Sequence, residues 1–169
     1  MTVQGYNRDA VRNDLSRLMP DAVQALGYHP LNCRWLYFPI NLRTRDHWVL
    51  GAIGLQDGVI EVWDSLHGDN ADVLRNLRSW VMDAANLPGC LRPELAAMNW
   101  QLLQRRDCPQ QDNGTDCGVF CCGLADTLSR QGARGRPRPV HWRQAAIPMW
   151  RHRILADILN NYVQSEPAQ

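Results

Sequence analysis

The chain lacks a long apolar run: no stretch approaches the ~18 residues that a membrane span requires. Its opening, MTVQGYNRDAVR, has no apolar signal-peptide core, so an intracellular setting, cytoplasm or nucleus, with no membrane partner is expected. Charge of one sign is also missing. Lys and Arg total 18 against 17 Asp and Glu, a net charge of +1, so no electrostatic footprint for nucleic acid is present. Internal repeats and low-complexity blocks are absent, which excludes solenoids and linker-rich architectures. Six cysteines are present, at 33, 90, 108, 117, 121 and 122, but without the paired C-x₂-C spacing of a zinc site. No metal and no other cofactor is therefore expected. The 169 residues can bury a real core, so reduced thiols are expected rather than a disulfide framework. The composition, 45% hydrophobic and 21% charged, fits one monomeric α+β domain over residues 1–169.

What is there reads as alternating elements. Residues 8–26 predict a helix in two pieces, with Val11, Leu15, Leu18, Ala22 and Leu26 on one face and Pro20 starting the second piece. Trp35 to Ile40 is aromatic and β-prone. His47 to Leu55 is apolar on both faces, as in a central strand, and Gln56-Asp57-Gly58 is a hairpin signal leading to a returning strand, Val59 to Trp63. Asp69 or Asn70 caps a helix whose buried stripe is Val73, Leu77, Trp80, Val81 and Ala84. Asn99 to Arg105 is a short strand. Residues 131–140 form a basic Gly/Pro loop, expected to be solvated, and a last helix starts near Pro148 with Ile154, Leu155, Ile158, Leu159 and Tyr162 facing inward.

The chemistry concentrates between Cys108 and Cys122, CPQQDNGTDCGVFCC. Asp112-Asn113-Gly114 is a turn, Thr115 and Asp116 are natural N-caps, and Val119, Phe120, Leu124 and Leu128 follow at helical spacing. Cys117 thus falls in the first turn of a helix, where the dipole and the free backbone amides favour thiolate. His47 opens one strand and Asp64 ends the next across a hairpin, so the two can be neighbours. A carboxylate beside an imidazole fixes its tautomer, and an oriented imidazole beside a thiol makes a nucleophile. Gln111 lies in the loop before Cys117, where its amide can join the Cys117 backbone N–H in holding an oxyanion.

These residues resemble the Ulp/SENP family of SUMO-specific cysteine proteases. The matching segments are His47-Trp48 with its apolar strand, then Trp63-Asp64-Ser65-Leu66, then Pro109-Gln110-Gln111-Asp112-Asn113-Gly114-Thr115-Asp116-Cys117-Gly118-Val119-Phe120, with a weaker similarity at Met149-Trp150-Arg151. The resemblance implies a papain-like α+β fold of the Ulp type, a central mixed sheet flanked by helices. It implies a thiol protease or isopeptidase cleaving after the C-terminal Gly-Gly of SUMO or a related ubiquitin-like modifier. His47 would be the base, Asp64 its orienter, Gln111 the oxyanion donor and Cys117 the nucleophile, with Trp48 roofing the tunnel for the Gly-Gly tail. The ubiquitin-like protein and its conjugates would be the partners. One departure stands out: residues 1–33 hold no Trp-Leu-Asn/Asp-Asp segment of the kind family members usually carry, so the N-terminal part reads as short or divergent. Two alternatives use the same residues: an acetyltransferase with a His/acid/Cys site, as in Yop-type effectors, or a module that binds a ubiquitin-like protein without cleaving it.

Overall fold

The computed structural model describes residues 29–88, 90–132 and 135–165. The helix expected over residues 8–26 lies outside them. Four strands form one mixed sheet in chain order: β1 (Trp35–Leu42), β2 (His47–Gly54), β3 (Val59–Trp63) and β4 (Gln101–Arg105). The first three are antiparallel neighbours and β4 runs parallel to β3. The hairpin between β2 and β3 turns where Asp57-Gly58 predicts, and Gly58 takes the left-handed conformation (φ 64°) that the turn demands. Reaching a parallel β4 needs a crossover, and helix α1 (Ala71–Ala85) supplies it.

Alternation along the strands sorts the apolar residues into two cores. On one face Ile40, Leu42, Val49, Ile53, Ile60 and Val62 meet Val73, Leu77, Val81 and Ala84 of α1. The helix approaches closely at Gly51, where a Cβ would stand 2.7 Å from Leu77 Cδ1. On the other face Leu50, Ala52, Val59 and Trp63 meet Cys121, Leu124 and Leu128 of helix α2 (Cys117–Gly132). β2 is therefore covered on both sides, as its continuous apolar run implies.

Helix α3 (Ile147–Ser165) departs from expectation. Its early residues Ile147 and Trp150 are buried, and Trp150 packs 5.5 Å, ring to ring, from Trp142. Leu155, Ile158 and Leu159, expected to face inward, are more than half exposed. The docked part of this helix is its start, held by tryptophan packing and by the Arg153–Asp126 pair at 3.4 Å, which periodicity does not reveal. The basic Gly/Pro loop is largely exposed, as expected, and from it Arg136, itself exposed, reaches the fully buried Glu61 at 3.4 Å. Arg105 meets the same carboxylate at 2.9 Å and lies over the Trp63 ring. A buried carboxylate needs such cations, so the loop is recruited to neutralise a charge inside the sheet.

Candidate active site

The site is built at the end of the sheet where β2 begins and β3 stops. A short 3₁₀ turn, Arg43–Arg45, and a left-handed Asp46 (φ 46°) bring the chain into His47, which pairs with Leu42 of β1. β2 reaches past the end of β3: Leu50 pairs with Trp63, and Asp64 is the next residue. By alternation His47 and Asp64 then share a face, and His47 Nε2 stands 2.7 Å from Asp64 Oδ1 with both side chains buried.

The chain after Asp64 curls around its carboxylate. Oδ1 also accepts from Leu66 N–H at 2.8 Å, while Oδ2 accepts from Gly68 N–H at 2.9 Å and from Asn70 Nδ2 at 2.8 Å. His67, at φ 53°, provides the reversal that aims these amides inward. Burial alone would push the Asp64 carboxyl up, but the hydrogen bonds from His47, Asn70 and Leu66 outweigh it and bring it down to about 2. An ionised carboxylate only accepts, so His47 must carry its proton on Nε2. In the neutral imidazole the lone pair is then on Nδ1.

Cys117 opens α2, as its spacing predicts. The first hydrogen bond inside the helix is Phe120 N–H to Asp116 C=O, so the amides of Cys117, Gly118 and Val119 have no helical acceptor. Cys121, one turn on, donates its thiol to the Val49 carbonyl at 3.5 Å, and the Trp48 indole edge comes within 3.9 Å of where a Gly118 Cβ would stand. These two contacts lay the start of α2 over the His47 end of β2. Trp48, the one exposed residue of β2, is 39% exposed. It is a surface wall beside Cys117 rather than the core residue that strict alternation within a covered sheet would make it.

The loop ahead of Cys117 is tied to both sides. Gln111 donates its backbone N–H to Ser65 C=O at 3.0 Å, Ser65 Oγ donates to Gln111 Oε1 at 2.6 Å, and Gln111 Nε2 donates to Asn113 C=O at 2.5 Å. Cys108 and Gln110 both donate to the Asp64 carbonyl, at 3.2 and 3.3 Å. Asp116 stands at the N-cap position, yet its carboxylate does not serve that role. It accepts from Asn113 Nδ2 and Gln144 Nε2, both at 2.7 Å, and from Arg151. Gln144 also accepts from Asp112 N–H, so the segment entering α3 straps the loop from outside. Asn70 departs from its expected part in the same way: it occupies the helix N-cap, but its amide goes to Asp64.

His47, Asp64, Gln111 and Cys117 thus come from three elements and one loop to a single sheet end, beside Trp48. Sequence reasoning missed the parts played by Ser65, Asn70 and Gln144. Ser65 lies inside the Trp63-Asp64-Ser65-Leu66 segment, Asn70 sits at a helix cap that hides its other role, and Gln144 carries no sequence signal. The other thiols near the site are poor nucleophiles: burial pushes Cys108 up to about 11 and Cys121 up to about 12. An imidazole held by a buried carboxylate, a thiol at a helix start and a glutamine amide in the loop ahead of it are the groups that acyl transfer by a cysteine uses.

Residues 30–160 match the Ulp1 protease family, C-terminal catalytic domain. The chain is 35% identical over 117 residues to a sentrin-specific protease of Caenorhabditis elegans, covering 68% of this chain and 15% of that protein. It is also 35% identical over 131 residues to ubiquitin-like-specific protease 1 of Saccharomyces cerevisiae, covering 73% of this chain and 19% of the relative. Among solved structures it resembles the C-terminal Ulp1 protease domain in complex with Smt3, the yeast ortholog of SUMO. That similarity has a TM-score of 0.58 and 30% identity, and covers 88% of this chain and 62% of that one. The chain spans less than a fifth of the length of these two curated relatives. With the mixed α+β sheet of the Ulp1 domain and a family match across most of its residues, the chain belongs to the Ulp1 protease family, in the part that forms the C-terminal catalytic domain.

Proposed function

We propose that the protein is a thiol isopeptidase that cleaves after the C-terminal Gly-Gly of SUMO or a related ubiquitin-like modifier. The observation that carries this reading is the 2.7 Å contact between His47 and Asp64 at the strand end on which the Cys117 helix begins, in a chain of this family. His47 Nδ1 takes the Cys117 proton, and the thiolate attacks the glycine carbonyl. The tetrahedral oxyanion is held by Gln111 Nε2–H and the Cys117 amide. When the C–N bond breaks, the imidazolium returns its proton to the lysine ε-amine, leaving a thioester on Cys117. Water, deprotonated by His47, attacks the thioester and frees the modifier's carboxylate. Asp64, held ionised by its hydrogen bonds, stabilises the imidazolium in both halves of the cycle. Trp48 forms one wall of the channel for the tail, and a flat indole there favours residues without side chains.

The test is turnover of a SUMO–lysine isopeptide conjugate, scored by the mass of both products. The wild type should release modifier ending in Gly-Gly together with an unmodified lysine, and Cys117→Ser should release neither while still binding the conjugate. Turnover retained in that variant, or transfer of acetyl from acetyl-CoA in place of hydrolysis, would replace the reading.

A further inference from the structure

A primary amide is nearly symmetric in shape but opposite in charge at its two ends. An oxyanion donor therefore fails if it rotates by half a turn, because its oxygen then faces the developing charge. Something must hold the Gln111 amide the right way round. Nε2 is fixed on one side by the Asn113 carbonyl, which can only accept. That leaves Oε1 toward Ser65, whose hydroxyl donates to it at 2.6 Å. Ser65 is 2% exposed, so its hydroxyl has little water to trade for this bond. The Ser65 carbonyl takes the Gln111 backbone N–H as well, so both ends of the glutamine are referenced to one residue.

We propose that Ser65 is the positioning residue of the oxyanion donor. With the sense of the amide set by the Asn113 carbonyl, the Ser65 hydroxyl clamps Oε1 and so holds Nε2 toward the reacting carbonyl, and by donating to Oε1 it polarises the amide so that the remaining Nε2–H is a stronger donor. Asp64 and Ser65 are consecutive, so one strand end holds both partners of Cys117: the carboxylate sets the imidazole and the hydroxyl clamps the amide. This inference rests on Gln111 acting as oxyanion donor.

The experiment is a double-mutant cycle on yeast Smt3 carrying a C-terminal aminomethylcoumarin amide. Gln111→Ala should lower kcat by roughly 10²–10³. Ser65→Ala should lower kcat by about 10-fold with KM held, and Ser65→Thr, which restores a hydroxyl, should recover most of it. In the Gln111→Ala background Ser65→Ala should cost nothing further, because no amide remains to be oriented. Alkylation of Cys117 by iodoacetamide should be unchanged in Ser65→Ala, since that reaction forms no oxyanion. If Ser65→Ala loses the same factor in both backgrounds, or loses it in alkylation too, Ser65 is only structural and the proposal falls while Gln111 keeps its role. If Gln111→Ala itself turns over at the wild-type rate, the oxyanion reading falls and Ser65 falls with it.

Discussion

Replacing Asp64 by asparagine changes one atom's chemistry and should disable the site by choosing the wrong histidine tautomer. In the wild type four donors converge on the carboxylate: His47 Nε2 and Leu66 N–H on Oδ1, Gly68 N–H and Asn70 Nδ2 on Oδ2. Asparagine offers one oxygen and one NH₂. With the NH₂ toward Gly68 and Asn70, two donors face a donor and two buried hydrogen bonds are lost, each costing about 1–3 kcal/mol. With the NH₂ toward His47, only Leu66 N–H loses its acceptor, because the imidazole can move its proton to Nδ1 and accept at Nε2. The second arrangement is cheaper, and it removes the Nδ1 lone pair that the proposed mechanism uses as base. Stability should fall by about 1–3 kcal/mol, while kcat falls roughly 10³–10⁴-fold at unchanged KM, the size of effect known when a catalytic histidine is held in the wrong tautomer. Nitrogen chemical shifts of His47 give an independent readout, with the proton on Nε2 in the wild type and on Nδ1 in Asp64→Asn. A folded variant within tenfold of the wild-type kcat, or one that keeps its proton on Nε2, would refute the reasoning.

Two further expectations follow from burial and charge. Trp48→Ala should stay folded, because its side chain is 39% exposed. It should lose most activity and tolerate alanine in place of the penultimate glycine of a substrate tail; unfolding measured by circular dichroism, or full activity with the glycine preference intact, would remove Trp48 from the site. The pKa of Asp64 lies at about 2 in the folded protein against 3.8 for the free carboxyl, so its stabilisation is fully present above pH 3.8 and is lost as pH falls through about 2. Urea titrations should show ~2 kcal/mol of acid-labile stability from this group, and that contribution should vanish in Asp64→Asn.

Much of the site was legible because strand patterns fix register. An apolar run, an Asp-Gly turn and a second apolar run place His47 and Asp64 side by side, and the turn before Val119 and Phe120 places Cys117 at a helix start. The connections that hold these residues were not legible, since they depend on which polar groups meet in three dimensions. Asn70 looks like any helix cap, yet the carboxylate of Asp64 claims its amide. Gln144 is 33 residues from Gln111 in sequence and reaches the loop only because Trp150 and Trp142 dock the start of the last helix. The apolar stripe of that helix was visible, but a stripe reports periodicity and not what covers it, and Leu155, Ile158 and Leu159 stand exposed. Arg136 is exposed, as the loop's composition implies, but its pairing with Glu61 was not legible, because Glu61 sits on a strand where alternation gives no sign of its partners.

The central claim is that Cys117, made nucleophilic by His47, accepts the C-terminal carbonyl of a ubiquitin-like protein. The most direct measurement exposes the protein to SUMO, ubiquitin and other modifier tails carrying a C-terminal electrophile and locates each adduct by peptide mapping. A SUMO-type tail should give one adduct, on Cys117, formed far more slowly in His47→Ala, with Cys108 and Cys121 unmodified because burial holds their thiols protonated. An adduct on any other cysteine, an equal rate in His47→Ala, or no adduct with any tail would contradict it.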